Sequence, residues 1–257
     1  MKKKYLLYAY LLCILLNACT QNKPTTPVTI NNSLQGHYIN TTVLNHIADT
    51  IPGGIPAYCF EMNFISPDSV AVFTGDEEYA LAYKKTANGF ALLNAVFEGE
   101  LPFTLNADST LTLLDATLNE TQTNSVFKKV TITAAQPWVF ETYLNEKMIA
   151  GEYVLYNNDV ATTQKVIFMA DGHVTGLNNY ISYTVCYAGD CIGETIPLRN
   201  TITFNDNNGT VTTYAFTVNP TNNHIMLFAI APAVEDIKGE REIKELVFEM
   251  GRVKEGI

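Results

Sequence analysis

Tyr58-Cys59-Phe60-Glu61-Met62-Asn63-Phe64-Ile65 decides the fold class. Large apolar side chains at 58, 60, 62 and 64 alternate with Cys59, Glu61, Asn63 and Ile65. A period of two places one set on each face of an extended strand. The pattern returns downstream, with Leu111 and Leu113 set against Thr110 and Thr112. Tyr214, Phe216 and Val218 are set against Thr213, Ala215 and Thr217 in the same way. One apolar face per strand implies a half-buried antiparallel sheet. Between the runs, Asn88-Gly89, Asp171-Gly172 and Asn208-Gly209 read as two-residue hairpin turns, because these residues accept positive φ. Pro67-Asp68-Ser69 and Asn106-Ala107-Asp108 punctuate the chain similarly.

Aligning these features reveals an internal repeat. Gly36-His37-Tyr38 matches Gly151-Glu152-Tyr153. Phe64 and Val70 flank one turn as Phe168 and Val174 flank another. Tyr79 with Tyr83 corresponds to Tyr180 with Tyr183, and Phe103-Thr104-Leu105-Asn106 to Phe216-Thr217-Val218-Asn219. Val126-Phe127-Lys128 closes the first half and Val247-Phe248-Glu249 the second. Each unit of about one hundred residues holds six to eight short strands. Curling such a meander into a barrel removes its exposed edges.

The expected fold class is therefore all-β, with two tandem antiparallel meander barrels and a short helix between them. The expected boundaries are a leader at 1–18, a tether at 19–33, a first β domain at 34–132, a linker helix at 133–148 and a second β domain at 149–257. Within the linker, Pro137 suits a first helical turn, and Phe140, Leu144 and Met148 share one face. The helix is expected to plug the mouth of the second barrel or to wedge between the two. A strand in this place is the competing reading. Trp138 reads as packing.

The strand openings carry a family resemblance. Gly151 with Tyr153, then Phe168, Asp171, Gly172 and Val174, resemble the opening strands of the lipocalin-like domains of bacterial lipoproteins. The first unit keeps Gly36 and Tyr38 but has Pro67-Asp68-Ser69 at the turn. Most family members have Trp where Tyr38 and Tyr153 stand. The resemblance implies barrels with an apolar interior and names no ligand.

The leader points the same way. Lys2, Lys3 and Lys4 precede an apolar run from Tyr5 to Leu16. As a helix that run spans roughly 18 Å, short of a ~30 Å hydrocarbon core, which fits a secretory signal. Leu16-Asn17-Ala18-Cys19 resembles the lipobox of bacterial lipoproteins. The resemblance implies cleavage before Cys19, a thioether from its sulfur to diacylglycerol, and acylation of the new amino terminus, as by palmitate. Two or more acyl chains anchor stably. Thr20, rather than Asp, follows Cys19, which favours the outer membrane. Residues 20–33 are rich in Thr, Asn and Pro and read as a spacer of at most roughly 46 Å.

The 257 residues include 16 Lys+Arg and 26 Asp+Glu, a formal net charge of −10, and 47% are hydrophobic. This balance excludes wholesale disorder, and its sign argues against nucleic acid as a partner. An acidic surface is repelled by anionic headgroups, so the acyl chains must hold the protein at the membrane.

Of the five Cys, Cys13 leaves with the leader and Cys19 takes lipid, leaving Cys59, Cys186 and Cys191. Export permits disulfides. Cys186 and Cys191 flank a short loop and are expected to pair, contributing about 2 kcal/mol; pairing of Cys59 with either is the rival. Asp49-Thr50-Ile51, Asp68-Ser69-Val70 and Asp108-Ser109-Thr110 resemble an O-glycan acceptor pattern of some bacteria.

Chemistry-bearing motifs are missing. His37, His46, His173 and His224 lack metal-ligand spacing. Asn205–Gly209 reads as a turn, since it lacks the leading Asp and distal Glu of a hand-type calcium loop. No nucleophile elbow, P-loop or dinucleotide fingerprint is present. The expectation is a non-enzyme without a cofactor. Two functional readings follow. One is a binding protein holding a small apolar ligand within barrels lined by strands 58–64, 79–83 and 180–187. The other is an envelope spacer or docking module with filled barrels.

Overall fold

The computed structural model describes residues 34–47, 57–75, 77–97, 99–119, 122–132, 138–188, 195–196, 199–219, 223–232 and 241–253. The first half is a meander of β1 (Gly36–Asn40), β2 (Glu61–Phe64), β3 (Ser69–Phe73), β4 (Glu78–Thr86), β5 (Gly89–Val96), β6 (Gly99–Leu105), β7 (Leu111–Leu113) and β8 (Ser125–Val130). These eight strands close into a barrel when β8 pairs back onto β1, Tyr38 opposite Lys129. A short helix, α1 (Thr41–His46), follows β1 and is capped by Asn40, whose side chain accepts from Val43 N.

The second half begins with helix α2 (Phe140–Met148) and continues through β9 (Gly151–Asn157), β10 (Val160–Phe168), β11 (Val174–Thr175), β12 (Tyr180–Val185), β13 (Thr195–Ile196), β14 (Asn200–Asp206), β15 (Val211–Asn219), β16 (His224–Ile230) and β17 (Arg241–Arg252). The sheet order is β11-β10-β9-β17-β16-β15-β14-β12, with β13 parallel to β17 off this path. This sheet is not closed, contrary to the expectation of two barrels. Its ends, β11 and β12, meet through a single bridge, His173 to Ser182, and through Tyr183 N donating to Gly172 O at 2.7 Å. The physical reason is the brevity of β11. Gly176 turns the chain at φ +81°, where a Cβ would lie 1.9 Å from the Lys165 carbonyl oxygen. Only glycine fits so close a crossing of β10.

The duplication is visible in side-chain detail. Gly36 pairs with Phe64 as Gly151 pairs with Phe168. Tyr38 meets Phe64 edge-on at 5.6 Å, and Tyr153 meets Phe168 edge-on at 5.6 Å. Phe64 meets Tyr83 at 5.2 Å, and Phe168 meets Tyr183 at 5.2 Å. Tyr83 OH donates to Ser66 O, and Tyr183 OH to Met169 O. A cation lies over each strand-opening tyrosine: Lys129 over Tyr38 and Arg252 over Tyr153.

Two sequence matches need correction. Arg252 pairs with Tyr153 as Lys129 pairs with Tyr38, so Phe127 corresponds to Met250, not to Phe248. Phe127 and Met250 are both fully buried. Tyr79 is 45% exposed and has no interior counterpart. Tyr180 instead turns inward through a bulge between Tyr180 and Ser182, its hydroxyl 2.8 Å from that of Tyr214. The turns differ as well. The two-residue connection of β4 to β5 is Ala87-Asn88, with Gly89 already in the strand. Asp171-Gly172 and Asn208-Gly209 sit in longer turns. There the Asp171 carboxylate accepts from His173 N, and Asp206 accepts from Asn208 N and Thr210 N.

The chain divides at Ser33/Leu34 into two units. The first, with Cys19, lies outside the described residues. Both β halves belong to the second. The barrel has a core of its own, drawn from residues between Leu34 and Phe127 and including Met62, Phe64, Leu92 and Phe103. The other core joins the open sheet and α2 to Ile39, Val43, Leu44 and Phe60 of the first half. Helix α2 forms within the expected linker segment, with Phe140 and Leu144, one turn apart on one face, fully buried in this shared core; the sheet it packs against is open, so it does not plug a second barrel.

Cys59 is fully buried and free. Loss of hydration on burial pushes its thiol well above the ordinary range, with the nearby Asp115 carboxylate adding to the effect. Cys186 lies among the described residues but its expected partner, Cys191, does not, and the disulfide between them stays a proposal. In native protein without reductant, no alkylation by iodoacetamide is expected at Cys59. Unfolding is expected to expose Cys59 alone, and reductant to add Cys186 and Cys191. Peptide mapping of the labelled sites checks both statements.

Candidate functional site at the open seam

Helix α2 lacks a side-chain cap of its own: Val139 stands at the N-cap position and makes no such bond. The cap comes from the barrel. Glu61 on β2 accepts from Val139 N at 2.7 Å and from Phe140 N at 2.9 Å through Oε2. Its Oε1 accepts from His37 Nδ1 at 2.9 Å. The strand alternation places Glu61 on a polar face, yet Glu61 is completely buried because α2 covers that face. A carboxylate at a helix N-terminus also complements the helix dipole.

This cap sets the position of a cavity of about 300 Å³ beside the helix. Its walls come from both halves. Phe73 closes β3, and Trp138 precedes α2. Glu141, Thr142 and Asn145 lie along the helix. Ala170 and Asp171 belong to the turn between β10 and β11, and Tyr187 follows β12. The turn and Tyr187 are the two ends of the unclosed sheet path, so the cavity lies where the second sheet fails to close. The barrel loop at Gly75 braces the same region. A Cβ there would lie 2.3 Å from Ala188 Cβ at φ +102°, so no other residue fits.

The cavity wall is aromatic and acidic. Trp138, the lone Trp, stacks on Phe73 with centroids 5.0 Å apart, and its indole N–H donates to Glu78 Oε2 at 3.2 Å. The packing role expected for Trp138 holds, and it also lines the cavity. Tyr187 packs against Phe60 and Phe140. Hydrogen bonds from His173, backbone first, hold the Asp171 carboxyl below the ordinary value. Asn145 is completely buried. Its Nδ2 donates to Ala170 O at 3.1 Å, and its Oδ1 has no donor among the described residues.

Burial pushes the Glu141 carboxyl above its ordinary 4.5, only partly offset by a hydrogen bond from Thr184. Ionising it is therefore harder in the folded protein than in the unfolded chain. Its stabilising contribution is fully present below the ordinary Glu value and is lost as pH rises through the raised one. Glu141→Gln is thus expected to melt higher than the unsubstituted protein at pH 7, with the difference vanishing at pH 3.5. Thermal melts at the two pH values check this.

Of the residues singled out in the sequence, Cys19 and Cys191 lie outside the described residues. Cys186 precedes Tyr187, which lines the cavity, and is not itself among the lining residues. Each of the scattered histidines has a local partner: His37 with Glu61, His173 with Asp171, His224 with Glu249, and His46 with the Thr42 carbonyl. Among the described residues, no group of three His, Cys, Asp or Glu side chains is placed to hold a metal. No described helix is long and apolar enough to cross a membrane.

No family model, curated protein or solved structure matches this chain. The functional reading therefore rests on the residues themselves. Glu61 and the cavity escaped the sequence. The one available signal was a Glu set between Phe60 and Met62, lying upstream of a helix with Val at its N-cap.

Proposed function

We propose that this is a lipid-anchored protein of the bacterial cell envelope that binds its ligand in the cavity beside α2, with the barrel serving as a filled scaffold. The observation that carries this reading is the contrast between the two interiors. The barrel axis is occupied by Tyr38, Met62, Phe64, Leu92, Phe103, Leu111 and Phe127, each at most 1% exposed. Their rings are in contact, Phe64 with Phe103 at 5.6 Å and Phe90 with Phe103 at 5.2 Å. A small eight-stranded barrel is filled by side chains of this size. The seam, in contrast, keeps a cavity at the small end of ligand-site volumes, about 300 Å³, with a few polar groups among aromatic walls. This favours the filled-barrel reading over an apolar ligand within the barrels. The leader and the Leu16–Cys19 motif support the anchor.

Two measurements test the proposal. Cys19→Ala is expected to move the protein from the membrane to the soluble fraction on cell fractionation; unchanged membrane association would overturn the anchor. Native and denatured masses of the purified protein test the site. Extra mass retained by the native protein, and lost in Thr142→Phe, which fills the cavity, supports it. Extra mass retained equally by Thr142→Phe places the ligand elsewhere and sinks the reading.

A further inference from the structure

Resting on that reading, we infer that the seam cavity selects a primary alkylammonium group, such as a free aliphatic amine or a lysine side chain. Four observations converge on this chemistry. Glu141 and Asp171 line the cavity from different elements, the helix and the β10–β11 turn, Asp171 sharing its carboxylate with His173, and no Lys or Arg among the described residues lines it. Asn145, buried on the same wall, leaves Oδ1 without a donor among the described residues, so one acceptor valence is open. Its amide is oriented, since Nδ2 is committed to the Ala170 carbonyl. Tyr187 and Trp138 add aromatic surface, which favours a cation over a neutral or anionic guest. The walls thus offer acceptors and π surface. An ammonium brings three donors and a positive charge to such a site, and an alkyl stem suits its apolar part.

The cost of ionising Glu141 points the same way. A buried carboxylate that gains a cationic partner recovers what burial removed. The net charge of −10 gives any cation a favourable approach.

The lone Trp lines the cavity, so its emission reports occupancy directly. Butylammonium chloride, 1-butanol and sodium butyrate are titrated into the full-length protein in detergent at constant ionic strength. A saturable change in Trp138 emission is expected with butylammonium, at a concentration at least about tenfold below that needed for butanol. No saturable change is expected with butyrate. The same titration of Glu141→Gln combined with Asp171→Asn is expected to bring butylammonium to the level of butanol. Thermal melts of that variant confirm that it is folded, and the comparison among the three probes on the unsubstituted protein does not depend on it. Equal responses to butylammonium and butanol, or unchanged butylammonium binding in the variant, overturn charge selection and leave a ligand cavity standing. Absence of a saturable response to all three probes overturns the selectivity and the cavity reading together.

Discussion

Glu61→Leu is expected to destabilise the protein by about 3 kcal/mol, a fall in melting temperature of about 6–12 °C. Leucine keeps the volume and removes every acceptor. Val139 N and Phe140 N at the start of α2 are then buried without partners, and His37 Nδ1 loses its carboxylate. An unpaired buried donor costs about 1–3 kcal/mol. His37 keeps some contact with water, which limits its share. Glu61→Gln restores an acceptor for the helix and should lose only about half as much. Trp138, next to Val139, should report the loosening as red-shifted emission well below the melting temperature. Leucine tolerated without loss of stability, as read by calorimetry, would show that the helix is held by its apolar face alone.

Phe168→Ala and Phe64→Ala should each cost about 4 kcal/mol, as for large buried aromatics generally, but with different consequences for cooperativity. Phe168 belongs to the core that α2 shares with the open sheet, whereas Phe64 belongs to a core drawn from the barrel alone. Loss of Phe168 should split calorimetric unfolding into two transitions, the open sheet first and the barrel later. Loss of Phe64 should lower one joint transition. The open sheet leans on Phe60 and on the Glu61 cap, both supplied by the barrel, and cannot outlast it. A single transition in both variants would mean that the halves unfold as one unit whichever core is damaged.

The strands and the duplication were legible in the sequence for a physical reason. Tyr38, Phe64 and Tyr83, and their counterparts Tyr153, Phe168 and Tyr183, must pack at the same register in each half, so they recur with similar spacing. The same period of two concealed the error at the end of the repeat. Phe248 lies two residues from Met250, and an even shift leaves the side-chain alternation unchanged. Helix α2 was legible from Phe140 and Leu144. Closure was not, because it depends on the chain crossing at Gly176, where the Lys165 carbonyl lies against the missing Cβ. Nor was the burial of Glu61: a strand pattern reports two faces, and only tertiary structure says that a helix lies across the polar one. The cavity escaped for the same reason, since residues from Phe73 to Tyr187 meet there from several elements.

The incomplete ladder of the second sheet has an evolutionary consequence. Once a gene segment is doubled, one copy can keep the ancestral architecture while the other drifts. Here the sealed copy has no strand ends to spare, and an insertion at its seam would disrupt the ladder that closes the ring. The unsealed copy already ends at the turn bearing Ala170 and Asp171 and at the segment bearing Tyr187. Mutations and insertions at those two places alter the walls of the pocket without touching a ladder. If the pocket binds the proposed ligand, new preferences in descendants of this chain should accumulate there first, and the barrel should change slowly beside them.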